Sequence, residues 1–370
     1  IYLTMKKNIL LIMPNVEKGG IEKNLLLLTS YFVKSFKIIL VCSEISDDVR
    51  KKLDQKVQII IAKKYFKTKF FSHRIRNTIN SFLEVLVNKK KITDNNTILF
   101  SLQNHPFPIL LSKILRKKII IRIANHPSAS LRYFNKYPNY LFKLFIKIFF
   151  YRFANGIICN SHSSRSYLKK YLKKNSIVTI FNPLEFKEYL NESQNRKNLL
   201  TIGRLENQKN ISGIILALVE VKKIFPLIIL KVIGSGSERN MLEKLVYDKN
   251  LQENVQFKGY IDPTHDLLHS KILILNSYFE GMPNVLLEGL ACKIPIISTN
   301  CQSGPEEILE NNKYGYLIKV NDVDELSKKI IEVMQNYENA KRKADDGYKS
   351  LDRFDLNNQL KKIEEYICSF

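Results

Sequence analysis

Ile272-Leu-Ile-Leu-Asn276-Ser-Tyr-Phe-Glu280-Gly-Met-Pro-Asn-Val-Leu-Leu-Glu288 is the stretch on which the fold turns. It opens as an apolar run of strand length, passes through a polar loop, and continues behind Pro283, a residue suited to the first turn of a helix. A strand, a loop and a helix in that order make the unit from which parallel sheets are built. Around it the second half of the chain alternates in the same way. Strands are predicted at 199–202, 227–233, 254–258, 272–276, 294–298 and 316–319, with helices near 210–223, 238–249, 284–292, 305–311 and 323–335. The first half repeats the rhythm, with apolar runs at 8–13, 37–42, 57–62, 97–101, 118–124, 155–159 and 177–181 and helical patterns at 21–34 and 74–88.

Two α/β domains follow, each doubly wound and Rossmann-like, facing each other across a cleft. Residues 1–183 form the first and 199–350 the second. The polar stretch after Asn182-Pro183 marks a linker over 184–198, and 351–370 reads as a terminal helix packing back on the first domain. Ligands of such sheets sit beyond the carboxyl ends of the strands, so the loops after the strands are where chemistry is sought.

Charge is distributed unevenly. The net +24 of the 370 residues lies wholly in the first half: residues 1–200 hold 37 Lys/Arg against 11 Asp/Glu, and residues 201–370 hold 22 against 24. Residues 101–150 carry nine basic residues and no acidic one, a field that attracts anionic surfaces. The cations are spread over many elements without a helix-turn-helix, zinc-finger or RRM signature, which argues against a nucleic-acid partner. From Pro138 a helix is predicted with Lys143 and Lys147 on one side and Leu, Phe and Ile over most of the rest, a pattern suited to an anionic membrane surface. No stretch reaches the length of a membrane span, and the apolar run at 9–13 ends at Pro14 and reads as a first strand. The five cysteines are scattered without metal-ligand spacing, which fits a reducing compartment. The expected location is the cytoplasm, peripheral on the inner face of the membrane.

The quoted segment carries two carboxylates, Glu280 on the loop and Glu288 on the helix. Gly281 lies between them, and the amides of Asn284, Val285 and Leu286 are orphan donors at the helix start. Such a pocket suits a sugar attached to a phosphate. A second loop, Gly203-Arg204-Leu-Glu-Asn-Gln-Lys209-Asn210, follows the first strand of the second domain. It places two cations where a diphosphate would lie, and as loop cations they are expected to contribute little to stability. Gly234-Ser-Gly236 would let backbone approach a nucleotide, although the third glycine of a dinucleotide fingerprint is missing. Asp322-Val-Asp324 has a metal-motif spacing, yet Glu325 follows at capping-box distance, so helix capping is the reading adopted and no metal or cofactor is expected.

These residues resemble the family 4 retaining glycosyltransferases of GT-B fold. The resemblance spans nearly the whole second half and rests on Glu280 and Glu288 with seven residues between them, and on Ser298-Thr-Asn-Cys-Gln-Ser-Gly-Pro-Glu-Glu307 downstream. It implies that Arg204 and Lys209 meet the donor diphosphate, Glu280 the sugar hydroxyls and Glu288 the ribose. Gly19-Gly20-Ile-Glu22 resembles the family's glycine loop, so Gly20 is expected at the donor phosphate. A histidine beside the reacting sugar is also implied, with His126 favoured over His105. Lys293 stands where glycine is expected, and Asn300 and Gln302 where aspartate and proline are expected.

The implied activity is metal-independent, retaining transfer of a hexose or N-acetylhexosamine from a nucleotide sugar, with UDP the nucleotide that the resemblance implies. The implied acceptor is a glycan or lipid-linked carrier in bacterial surface polysaccharide or lipopolysaccharide synthesis. Alternatives are a sugar-nucleotide epimerase of the same fold, a glycoside hydrolase, and a non-enzymatic binder of anionic surfaces or nucleic acid.

Overall fold

A computed structural model describes residues 7–16, 20–66, 72–102, 106–134, 138–174, 176–185 and 196–370. The chain divides into two compact units, 1–183 with 357–370, and 184–356.

The first unit is built on seven parallel strands. Across the sheet they run Gln58–Ile61, Lys37–Cys42, Asn8–Ile12, Thr97–Ser101, Lys118–Ile123, Gly156–Cys159 and Ile177–Thr179. Their near-continuous apolar sequences follow from burial on both faces. Leu10 and Ile39 enter one packed cluster with Ile121 and Ile157, while Ile9 and Ile38 are equally buried. The terminal helix Leu356–Cys368 is tied to this sheet. Gln359 accepts the Phe181 amide at 3.0 Å, and the Tyr366 hydroxyl accepts the Ile157 amide at 3.2 Å. Gly156 permits the approach, since a Cβ there would lie 2.7 Å from the Tyr366 hydroxyl.

The second unit has six parallel strands in the order Val255–Gly259, Leu230–Ile233, Asn198–Ile202, Ser270–Leu275, Ile296–Thr299 and Tyr316–Ile318. In chain order this is third, second, first, fourth, fifth, sixth, the doubly wound pattern, and the first unit follows it with a seventh strand added. Leu199, Val232, Ile272 and Ile297, one from each of four strands, share a core with the helices Ile211–Ile224 and Val323–Gln335.

Two boundaries differ from expectation. The second unit extends past residue 350 to Leu356, because the chain closes on itself there: the Leu184 amide donates to the Phe354 carbonyl at 2.9 Å and Leu184 bridges Asp355. Of the expected linker, 186–195 lie outside the described residues, and Asn198 already belongs to a strand.

Candidate functional site

The strand order of the second unit reverses between Asn198–Ile202 and Ser270–Leu275, and a crevice opens at the carboxyl ends of the two strands that flank such a reversal. The loops leaving these two strands are the two that sequence singled out, 203–210 and 276–283. They are stitched together. The Tyr278 amide donates to the Gln208 carbonyl at 2.9 Å, and the Gln208 side chain returns a bond to the Phe279 carbonyl at 2.9 Å. The Asn276 amide group donates to the Asn210 carbonyl at 3.1 Å. Asn210, left-handed at φ 48°, also caps the helix Ile211–Ile224 by accepting the Gly213 amide at 3.2 Å.

Lys209 and Glu280 meet inside this frame, with Nζ 2.5 Å from Oε1. Their side chains are only 15% and 7% exposed, so this is a desolvated pair rather than a surface one. The buried Ser277 hydroxyl donates to the same Oε1 at 2.6 Å, while the Ser277 carbonyl accepts from Thr299 Oγ1 at 2.7 Å. With Oε1 taken twice among the described residues, Oε2 is placed to accept from a ligand. An ammonium carries three donors, so Lys209 keeps further protons for an anion while holding Glu280. Arg204 is exposed, with Nη2 donating to Gln208 Oε1 at 3.2 Å. The expectation that both are exposed loop cations of little weight in stability fails for Lys209, which is largely buried and paired, while Arg204 is exposed as expected.

Beyond Gly281 the helix Asn284–Ala291 begins, with Pro283 at its N-cap. The Leu286 amide is not an open donor, because it bonds the Pro283 carbonyl at 3.1 Å; this corrects its assignment to an anion site and leaves Asn284 and Val285 in the first turn. Glu288, half-buried, lies one turn further along the same helix. The loop 301–304 supports Gly281 from the other side: Ser303 Oγ donates to the Gly281 carbonyl at 3.1 Å, and a Cβ on Gly304 would lie 2.1 Å from it. Cys301 is buried beside Glu280, and desolvation first, then the carboxylate, pushes its thiol up to about 12.

The glycines of 234–236 also serve the packing of a neighbouring loop. A Cβ on Gly234 would fall 1.8 Å from the Gly203 carbonyl oxygen, and one on Gly236 2.3 Å from that of Leu205. They let the backbone of the neighbouring loop 203–205 approach. At Lys293 the conformation expected of glycine is present without the residue. The backbone is left-handed at φ 50°, and the amides of Lys293 and Ile294 close the end of the helix on Leu290 and Gly289. Arg196 grips the carbonyls of Cys292 and Lys293 at 2.8 and 2.9 Å. Asp322 caps the helix Val323–Gln335 by accepting the Glu325 amide at 2.8 Å.

In the first unit His126 follows the strand Lys118–Ile123 and is 1% exposed, packed edge-on against Tyr167 at 4.8 Å with Nδ1 3.2 Å from Ser128 Oγ. Burial, then the charge of Lys147, lowers its pKa to about 4, so it is a neutral imidazole. Lys147 departs from expectation. It turns inward toward the Pro127 carbonyl at 3.4 Å, and burial lowers its pKa to about 8. His105 and Gly19 lie outside the described residues; Gly20 starts the helix Gly20–Phe32.

Sequence reasoning missed Ser277, Gln208 and Thr299. Polar residues that work by bonding neighbouring loops have no periodic or charge signal, although Ser277 and Gln208 lie in the loops that follow strands and Thr299 ends one.

Residues 184–350 match the family model for glycosyl transferases group 1. Among curated proteins the chain is 31% identical over 224 residues to an uncharacterized glycosyltransferase of Methanocaldococcus jannaschii, covering 54% of this chain and 53% of that protein. It is 27% identical over 183 residues to poly(ribitol-phosphate) alpha-N-acetylglucosaminyltransferase of Staphylococcus aureus, covering 49% and 37%. The chain thus spans about half or less of the length of these relatives. A longer match, 25% identical over 90% of this chain and 89% of the other, is to a Campylobacter jejuni alpha-1,4-N-acetyl-D-galactosaminyltransferase named for an undecaprenol-linked acceptor. Among solved structures, Anabaena HepE in complex with UDP and glucose superposes with a TM-score of 0.80 over 98% of this chain and 100% of that one, at 16% identity. TarM of S. aureus gives 0.81 over 99% and 100%, also at 16% identity. The fold is GT-B, and within it residues 184–350 are similar to group 1 glycosyl transferases.

Proposed function

We propose that this chain is a retaining, metal-independent glycosyltransferase that takes a hexose or N-acetylhexosamine from a UDP-sugar. Its acceptor is a glycan or lipid-linked carrier of a bacterial surface polymer, met at the cytoplasmic face of the membrane. The observation that carries the reading is the Lys209–Glu280 pair at the switch point, held in place by the stitched loops 203–210 and 276–283. A nucleotide diphosphate laid over this crevice finds Arg204 and Lys209, preorganised cations that stabilise the leaving group as charge develops on it. Glu280 Oε2 accepts from a sugar hydroxyl, and Glu288 accepts from the ribose. His126, neutral, is assigned to the reacting sugar. The UDP in the HepE structure and the undecaprenol-linked acceptor in the C. jejuni relative's name support donor and acceptor class.

The test is a thermal-shift panel of nucleotide sugars in chelator, followed by transfer to a lipid-linked acceptor with NMR assignment of the new linkage. The expected result is a UDP-sugar that raises the unfolding temperature and an α-linked product. No stabilisation by any nucleotide sugar, or conversion of donor to an epimer without acceptor, would overturn the reading.

A further inference from the structure

The helix Asn139–Tyr151 lies in the first unit, far along the chain from the donor-site loops, and one side of it, Leu141, Phe142, Phe145 and Phe149, is apolar and exposed. Leu144 and Tyr151 are buried, whereas Phe142 is 66% and Phe145 69% exposed, with Phe149 and Phe153 also exposed. These four fall at i, i+3, i+7 and i+11, one continuous stripe. The rings touch along it: Phe145 stacks on Phe149 at 6.4 Å, and Phe149 meets Phe153 edge-on at 5.3 Å. At its end Lys113 Nζ lies 5.9 Å from the Phe153 ring, so the helix Phe107–Leu115 borders the stripe, and that helix exposes Leu110 and Ile114. Four exposed aromatic rings in line are far more than the scattered apolar residues of an ordinary surface.

The charge around the stripe selects what covers it. Between Asp94 and Glu185 the sequence contains 15 Lys/Arg and not one Asp or Glu. Of these cations, Lys113, Arg116, Lys143 and Arg152 are exposed on or next to the two helices. A second copy of the chain would bring like charge against like charge. An acidic protein would match the cations but not need a row of phenylalanines. An anionic bilayer matches both, because rings enter the headgroup boundary while flanking cations meet lipid phosphates.

We infer that Phe142, Phe145, Phe149 and Phe153, flanked by Lys113, Lys143 and Arg152, form a monotopic docking surface for an anionic lipid bilayer. The inference deepens the membrane-side acceptor proposed above but stands on different residues from the donor site. Lys147, which the sequence pattern grouped with Lys143, is not part of this surface because it faces the core.

Flotation of the full chain with vesicles of phosphatidylglycerol and phosphatidylcholine tests it, and needs no donor or acceptor. Binding is expected to require phosphatidylglycerol and to weaken with added salt. The double variant Phe145→Ser/Phe149→Ser should bind at least tenfold more weakly, and Lys143→Glu should bind more weakly than wild type, both with unchanged thermal unfolding and unchanged stabilisation by UDP. Wild-type binding by the double variant, or equal recovery with pure phosphatidylcholine, would overturn the inference. So would a dimer in size-exclusion chromatography that the double variant abolishes while no vesicle binding is seen. Loss of UDP stabilisation in the wild type would count against the glycosyltransferase reading alone.

Discussion

Replacing Lys209 by alanine strands the Glu280 carboxylate where it is 7% exposed, with Ser277 as its one remaining donor among the described residues. Removing one partner of a buried ion pair costs about 3 to 5 kcal/mol, mostly the price of a desolvated charge left alone. Lys209 is 15% exposed and Ser277 stays in place, which points to the low end, about 3 kcal/mol. For a unit the size of 184–356, that corresponds to a fall in unfolding temperature of roughly 6 to 12 °C. Arg204→Ala, which removes an exposed cation, should stay within about 0.5 kcal/mol of wild type, although on the proposed function both alanine variants should lose transfer. The discriminating variant is Lys209→Ala/Glu280→Gln, which removes the stranded charge and should recover at least half of the lost stability. Differential scanning calorimetry on the four proteins measures all of this. Equal unfolding temperatures for Lys209→Ala and Arg204→Ala, or no recovery in the double variant, would refute the claim that the pair is desolvated and coupled.

Ser277→Ala should lower kcat about tenfold, roughly 1.4 kcal/mol, while moving the donor KM much less, because the hydroxyl is fully buried and orients Glu280; equal changes in both constants would show a binding role instead. At Lys293 the left-handed backbone should invert the usual ranking, so that Lys293→Gly is more stable than Lys293→Ala by about 1 kcal/mol in urea unfolding, and an alanine variant at least as stable would contradict the strain. His126 sits at about 4 in the fold against an ordinary 6.5, so the unfolded chain binds a proton that the folded one refuses between those values. Stability from this group is complete above about pH 6.5 and is lost as pH falls through 4, by up to about 3 kcal/mol; urea midpoints of wild type and His126→Gln should converge across that window. Lys147 sits at about 8 against 10.5, so at neutral pH its buried charge costs stability that returns only as pH rises through this range. Lys147→Met should accordingly gain about 1 to 3 kcal/mol at pH 7, and an unchanged urea midpoint would show the charge to be solvated.

The alternation of apolar runs made both sheets legible, because a strand buried on two faces cannot hide its composition. The helix Val323–Gln335 begins and ends where its pattern does, since Asp322 announces the cap. Ends without such a signal moved: the run expected at 294–298 pairs only from Ile296, one residue beyond Pro295, which has no amide to give to a ladder. The two donor loops were visible as charge placed directly after strands, but not that strand order 3-2-1-4 would bring them together, because order across a sheet is set by packing at long range in the chain.

The readings that changed share one cause. Gly234 and Gly236 were read against a ligand, and the structure adds that they admit the backbone of 203–205. Leu286 was read as an open amide and proved to be closed by Pro283. Lys147 was read from helical spacing alone and proved to turn inward. Each residue type is compatible with two environments of opposite kind, and the deciding neighbour lies on another element or in a turn whose geometry is local but not written in composition. Lys147 shows the consequence for function. Spacing put it with Lys143, but a four-carbon stem lets a lysine reach either side of an amphipathic helix. The carbonyl of Pro127, in the loop that carries His126, claims it. The helix therefore divides its two lysines between tasks, one behind the candidate histidine and one at the edge of the phenylalanine stripe. Charge reversal at Lys143 should accordingly affect vesicle binding alone, while a change at Lys147 registers in the stability of the His126 loop.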